Sequence, residues 1–95
     1  MANMLMERLR AGEVVMGFCN MYPAPGIIEC TRKSWDWVWI DAQHGEFSYD
    51  SVFSAVLAAR ASGVATIIRP ETHDRGILGK YADTVSYTHL TLPTN

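Results

Sequence analysis

The stretch from residue 35 to residue 46, WDWVWIDAQHGE, constrains the fold more than any other part of the chain. Its apolar run stops abruptly at Asp41, and His44 and Gly45 follow directly afterwards. Side chains alternate along a strand, so odd-numbered and even-numbered residues should share opposite faces. The two faces would carry Trp35, Trp37 and Trp39 on one side and Asp36, Val38 and Ile40 on the other. Apolar bulk on both faces favours a parallel strand that is covered on both sides and brings polar groups to the rim of its sheet.

Segments that favour strands and segments that favour helices alternate along the chain. The clearest helix begins after Ser48, a suitable N-cap, and ends at Gly63, where a left-handed residue is common. Its apolar stripe is formed by Tyr49, Val52, Phe53, Val56 and Leu57. The other predicted segments are a helix over 3–10, a strand over 14–18, a short helix over 27–33, strands over 37–41 and 64–68, and a helix after Asp74. This order predicts an α/β fold with a parallel sheet and right-handed crossovers, either an open doubly wound sheet or a (β/α)8 barrel.

Composition and charge exclude several classes of protein. The net charge is −2 and there is no basic run, so the electrostatic footprint of a nucleic-acid-binding protein is missing. No apolar stretch approaches the roughly 18–20 residues that cross a bilayer, and the first residues do not resemble a signal peptide. Cys19 and Cys30 form no CxxC motif and are expected to be buried and reduced. We therefore expect a cytoplasmic protein without nucleic-acid or membrane partners.

Three polar side chains are candidates for a site at the carboxyl ends of the strands, where parallel α/β folds carry their chemistry. His44 gains or loses a proton near neutral pH, and the planar fork of Arg69 matches a carboxylate. Asp83, late in the last helix, could bind one ring nitrogen of a histidine and raise the basicity of the other. A base, an anion clamp and an orienting carboxylate together suit removal of a proton next to a carbonyl, or of a hydroxyl proton.

Each of these residues also has a plain interpretation. His44 would be a solvated loop side chain, and Arg69 would form a surface ion pair with a nearby acidic residue. Asp83 would be an exposed helix residue, and Asp41 would cap a turn. No G-x-G-x-x-G segment or P-loop lies near the first strand, so nucleotide binding has no support. Pattern alone leaves both interpretations open.

Several segments, in the same order, are similar to those of a known family. Residues 35–45, WDWVWIDAQHG, resemble the "FDW-apolar-apolar-ID-x-E/Q-H" signature of the HpcH/HpaI aldolase and citrate lyase family, which contains the class II pyruvate aldolases. TIIRP at 66–70 and HDRGI at 73–77 are similar to that family's "V-R-x-P/S…ND…I" segment. KYAD at 80–83 resembles its "LD-x-G" segment, and the opening helix with Gly12, followed by Val15-Met16-Gly17, resembles its "L-x-x-G…x-G" start.

The resemblance covers roughly residues 4–84 and implies a (β/α)8 TIM barrel, with residues 1–84 supplying about the first three βα units of an aldolase domain. It also implies a lyase that uses a divalent metal, Mg²⁺ or Mn²⁺, to cleave or form the bond between pyruvate, or a related 2-oxo acid, and an aldehyde. By position, His44 would accept the proton of the aldol hydroxyl. Arg69 would bind the pyruvate oxygen and stabilise the enolate, and Asp83 would raise the basicity of His44. The full-length enzyme is expected to be a homo-oligomer.

The sequence departs from the family's pattern in several respects. Gln43 stands where an acidic residue is common, and the family's metal ligands, a glutamate and an aspartate, lie on later strands that this chain does not contain. Residues 85–95, VSYTHLTLPTN, are predicted to be a non-native or disordered tail. A barrel takes about 250 residues, so three strands cannot close one, and the chain by itself is expected to be inactive. The alternatives are a small α/β binding module without catalysis and a citryl- or malyl-CoA-type lyase.

Overall fold

The computed structural model describes residues 4–84 and the backbone of residues 89–90. Within these residues, helices and strands alternate as predicted. In chain order they are α1 (Met4–Arg10), β1 (Gly17–Asn20), α2 (Pro25–Thr31), β2 (Trp37–Asp41), α3 (Tyr49–Ser62), β3 (Ala65–Arg69), α4 (Arg75–Thr84) and β4 (His89–Leu90). Asn3, the first residue of the predicted helix over 3–10, lies outside the described residues. No helix in the described ranges is long and apolar enough to cross a membrane.

The strands form one parallel sheet in the order β1-β2-β3-β4. Asn20 at the end of β1 pairs with Ile40, and Asp41 at the end of β2 pairs with Arg69 at the end of β3. The carboxyl ends of these three strands therefore lie along the same edge of the sheet. The chain is thus an α/β protein with a parallel sheet, and its strand order follows the sequence.

Helices α2, α3 and α4 contribute to a core on one face of the sheet. That core contains Val38, Ile40 and Ile68 from the strands and Ile28, Val52, Val56 and Tyr81 from the helices. Trp37, Trp39 and Ile67 alternate with the core residues, point to the opposite face and are half-buried. The expectation that helices cover both faces of β2 is therefore not met within residues 4–84. Because of the tryptophans, both faces of β2 carry apolar side chains. Hydropathy alone does not show that helices cover only one of these faces.

Strand β1 lies later in the chain than predicted. The pattern placed a strand over 14–18, but Val14 and Met16 are exposed and precede β1. The strand continues instead to Asn20, which is buried although it is polar. Cys19 and Cys30 are free and exposed, so the prediction that both are buried is wrong.

Both predicted caps of α3 are present, but its buried face differs from the predicted stripe. The Ser48 side chain accepts a hydrogen bond from the Ser51 amide, and Gly63 has the left-handed φ of 74°. Phe53 and Leu57 are each 44% exposed. The buried residues of the helix are Val52, Ala55, Val56, Ala58 and Ala59. Alanine side chains are small, so buried alanines let a helix approach a sheet closely. A search for a stripe of large apolar residues does not identify such a face.

Trp35 does not share a face with the other two tryptophans. It precedes β2, and its ring packs against Phe18, with the ring centroids 5.6 Å apart. The Cα partner of Phe18 is Val38, and Phe18 packs against the core. The alternation of a strand applies only inside the strand, so it predicted the positions of Trp37 and Trp39 and failed for Trp35.

Asp36 ties α1 and β1 to the amino end of β2. Its carboxylate accepts a hydrogen bond from the Met16 amide at 2.8 Å and forms an ion pair with Arg8. The Asp36 amide in turn donates to the Met16 carbonyl at 2.7 Å. The Met16 amide, and then Arg8, hold the pKa of Asp36 below its usual value of 3.8, against the opposing effect of burial.

This lowered pKa predicts that stability falls in acid. A carboxyl whose pKa is lower in the folded chain stabilises the fold above its unfolded pKa, and the contribution is lost as the pH falls through the folded pKa. We expect the free energy of unfolding to decrease below about pH 4, and Asp36→Asn to flatten that decrease while lowering stability at neutral pH. Urea unfolding across this pH range measures it, with Asp50→Asn on the exposed first turn of α3 as control. Parallel pH profiles for the wild type and Asp36→Asn would contradict the assignment.

Candidate active site

An ion pair joins the ends of two neighbouring strands at the carboxyl edge of the sheet. The Nε of Arg69 donates to Oδ1 of Asp41 at 3.2 Å, and its Nη2 donates to Oδ2 of the same carboxylate. Asp41 is only 1% exposed, and the side chain of Arg69 is 19% exposed. The contact is therefore a bidentate pair with little access to water, which is the stronger form of an arginine–carboxylate interaction.

The same carboxylate holds the turn that follows β2. Oδ1 of Asp41 accepts hydrogen bonds from the amides of Gln43 and His44, each at 3.0 Å. The Gly45 amide donates to the Asp41 carbonyl at 3.0 Å, and the Glu46 amide donates to the carbonyl of Met21 after β1 at 2.7 Å. The turn before α3 is thus fixed to the ends of both β1 and β2.

These contacts set the charge states of the pair. Burial raises the pKa of Asp41, but the hydrogen bonds from Arg69, His44 and Gln43 outweigh it, and the pKa lies below its usual value. The Asp41 carboxylate raises the pKa of Arg69 further above its ordinary value. The Cζ atom of Arg69 also lies 5.5 Å from the centre of the Trp39 ring, within the range of a cation–π interaction. The guanidinium is therefore a fixed positive charge.

The structure brings two of the three predicted site residues to the same edge of the sheet. Arg69 and the turn that carries His44 meet at the same edge, and the His44 side chain is exposed there. Asp83 is exposed near the end of α4, about 12 Å along the helix axis from its first residue. Within the described part of the chain, no hydrogen bond or ion pair joins Asp83 to His44, so its proposed role stays a prediction.

Asp41 is the site residue that sequence reasoning missed. The pattern gave it a turn-capping role, which the structure shows, and gave Arg69 a surface partner further along the chain. Asp41 ends one predicted strand, Arg69 directly follows the next, and the two residues carry opposite charges. That combination of position and charge was the available indication that they pair.

The described residues do not supply a ligand set for the expected divalent metal. Among them, no group of three or more His, Cys, Asp or Glu side chains is arranged to hold a metal ion. Asp41, the most buried carboxylate at this edge, is already engaged by Arg69 and two amides.

Proteins similar to this chain are found among solved structures. No protein-family model and no curated protein matches the chain. Among solved structures, the chain is similar to the citrate synthase SbnG, with 29% identity and a TM-score of 0.83 over 96% of this chain and 37% of that one. The resemblance to the HpcH/HpaI aldolase/citrate lyase family is confirmed.

Two structures of the HpcH/HpaI family share the fold at lower identity. One is the HpcH/HpaI aldolase from Desulfitobacterium hafniense DCB-2, with 24% identity and a TM-score of 0.74 over 84% of this chain and 32% of that one. The other is an HpcH/HpaI aldolase/citrate lyase family protein from Burkholderia cenocepacia J2315, with 22% identity and a TM-score of 0.77 over 87% and 34%. The chain spans about a third of the length of these structures, and at these identities the likeness shows a shared fold.

Proposed function

We propose that the chain is the N-terminal part of a (β/α)8 barrel, with residues 1–84 as its first three βα units. Two features of the fold support a barrel over a doubly wound sheet. The parallel strands follow chain order, and α2, α3 and α4 pack on one face only. Helices cover both faces of a doubly wound sheet but only the outside of a barrel. The assignment of residues 85–95 as a non-native or disordered tail stays a prediction. Of these residues, only 89–90 are described, pairing with Ile67 and Ile68.

The proposed activity is cleavage or formation of a carbon–carbon bond between a 2-oxo acid such as pyruvate and an aldehyde. The observation that carries it is the fixed guanidinium of Arg69 at the carboxyl edge, beside the turn that holds His44. A preorganised positive charge binds the anionic substrate and stabilises the negative oxygen of an enolate. The exposed imidazole of His44 at the same edge is the proposed general base.

The proposed reaction balances with these two residues in their roles. In cleavage, His44 accepts the proton of the aldol hydroxyl, a carbonyl forms at that carbon, and the adjacent carbon–carbon bond breaks. The aldehyde leaves, and the electron pair of the broken bond remains as the pyruvate enolate, whose oxygen Arg69 stabilises. The protonated His44 then returns its proton to the enolate carbon, which gives pyruvate and restores the base. In this scheme Asp83 would raise the basicity of His44, as the resemblance implies.

A second candidate is citrate formation, which the 29% identical citrate synthase favours. In citrate formation His44 would remain the base and Arg69 would remain the anion-binding residue, but the acceptor carbonyl compound and the product would differ. Proton NMR of reaction mixtures distinguishes the two, because citrate methylene signals appear only in the second. The expected divalent metal and homo-oligomeric state remain proposals that follow from the resemblance, and the cytoplasmic location remains a proposal that follows from the composition.

Methyl-proton exchange of pyruvate tests the first candidate. The full-length protein that contains residues 4–84 is incubated with pyruvate and Mg²⁺ or Mn²⁺ in D₂O, and the methyl signal is followed by NMR. We expect exchange by the wild type and a loss of about 10²–10⁴-fold in His44→Ala, because a general base contributes on that scale. His73→Ala, in the exposed loop before α4, is the matched control. Absence of exchange in the wild type, or an unchanged rate in His44→Ala, would refute the proposal.

A further inference from the structure

We propose that Asp41 is a positioning residue that holds the guanidinium of Arg69 and the turn carrying His44 in one fixed relation. The inference rests on the proposed roles of Arg69 and His44 and adds a third residue to that site. Neither the resemblance nor the sequence pattern assigns Asp41 more than a turn. The hydrogen bonds of Asp41 connect Arg69, the proposed anion-binding residue, to the turn that carries His44, the proposed base.

One carboxylate accepts four N–H groups from the two segments. Oδ1 accepts from Arg69 Nε at 3.2 Å and from the amides of Gln43 and His44 at 3.0 Å, while Oδ2 accepts from Arg69 Nη2. An ionised carboxylate accepts hydrogen bonds and donates none, so each of the four donors is oriented towards it. Because Asp41 is 1% exposed, water has little opportunity to replace any of them. A shift of either segment therefore strains the contacts of the other.

Two residues of β2 contact the guanidinium. Cζ of Arg69 lies over the Trp39 ring, 5.5 Å from its centre, and Asp41 binds the Nε–Nη2 edge. Trp39 and Asp41 belong to the same strand, and Arg69 ends the adjacent strand in register with Asp41. The strand pair thus fixes the position of the positive charge that would meet the substrate.

The two functions of Asp41 can be separated by chemistry. An asparagine keeps one oxygen that can accept from the Gln43 and His44 amides and from Arg69 Nε. Its NH₂ group, however, replaces Oδ2 and directs a donor at the donor Nη2 of Arg69. Asp41→Asn should therefore release the guanidinium while retaining the turn, whereas Asp41→Ala should lose both. Asp50→Asn makes the same chemical change at an exposed position of α3.

Hydrogen exchange followed by NMR on this chain tests the link. In Asp41→Asn we expect the Arg69 Nε–H to exchange about tenfold faster or more, because the Asn NH₂ repels Nη2 and the remaining acceptor for Nε is uncharged. The Gln43 and His44 amides should stay within about threefold of the wild type. In Asp41→Ala all three protons should exchange faster, and in Asp50→Asn none should change. An Arg69 Nε–H that exchanges in Asp41→Asn as it does in Asp50→Asn overturns the proposal.

Kinetics of the full-length protein separate positioning from a purely structural role. In the pyruvate exchange assay, Asp41→Asn should raise KM for pyruvate about tenfold and lower kcat less, because the clamp is misplaced while the base remains. A purely structural role would reduce the folded fraction and so lower kcat at an unchanged KM, which would count against the inference. If the wild type catalyses no exchange, the proposed function fails, while the NMR comparison still decides whether Asp41 positions Arg69.

Discussion

Replacing Gly45 by alanine is expected to destabilise the chain by about 3 kcal/mol. A Cβ atom at this position would lie 2.2 Å from the carbonyl oxygen of Asp41 and 2.7 Å from the carbonyl oxygen of Met21. It would also lie 3.2 Å from the Cα of Met21. All three atoms belong to the backbone, so no flexible side chain can move aside to relieve the contact.

The clash falls on the carbonyls that hold the turn in place. The Asp41 carbonyl accepts from the Gly45 amide, and the Met21 carbonyl accepts from the Glu46 amide. Relief therefore requires the turn to move away from β1 and β2, which breaks these bonds and pulls the His44 amide from the Asp41 carboxylate. We expect the substitution to damage the candidate site as well as the stability of the fold.

Urea unfolding followed by the fluorescence of the three tryptophans measures the effect. Gly79→Ala is the matched control, because a Cβ there meets nothing within 4 Å and the residue lies inside α4. Alanine is favoured over glycine in a helix by up to about 1 kcal/mol, so the control should be slightly more stable than the wild type. A Gly45→Ala protein as stable as the wild type would show that the turn does not approach the strands as closely as described.

The order and type of the elements could be predicted from sequence because each rests on local patterns. The caps of α3 at Ser48 and Gly63 and the bounds of β2 are local features, and the structure confirms them. The failures occurred where burial depends on neighbours distant in the chain. Phe53 is exposed although it fits a helical stripe, and Asn20 is buried although it is polar. Hydropathy cannot report which side of a helix or strand another element covers.

The candidate site was predictable in the same partial way. His44 and Arg69 were placed at one edge because parallel strands end together, and the register of β2 with β3 agrees. The partner of Arg69 was not identified, because pairing across strands depends on register, which a single strand's pattern does not contain. The need for glycine at position 45 was also missed, since it comes from the approach of Met21, more than twenty residues earlier in the chain.

Removing the positive charge of Arg69 is expected to destabilise the chain more than neutralising both members of the ion pair. Arg69→Met would leave the 1% exposed carboxylate of Asp41 with two backbone amides and without its cation. Loss of one partner of a buried pair typically destabilises by about 3 kcal/mol or more. The double variant Asp41→Asn with Arg69→Met retains an oxygen for both amides and buries no charge, so it should be the more stable of the two.

The pH dependence of the free energy of unfolding provides a check on this expectation. In the wild type the pKa of Asp41 is lowered, so its contribution to stability is present above the unfolded pKa and is lost as the pH falls. In Arg69→Met burial without a cation should raise that pKa, and the penalty should disappear as the carboxyl becomes protonated. The wild type and Arg69→Met should therefore converge in stability below about pH 4, while the double variant should show neither trend at this site. Equal losses of stability at neutral and acidic pH would mean that the packing of the Arg69 side chain, and not its charge, supports this edge of the sheet.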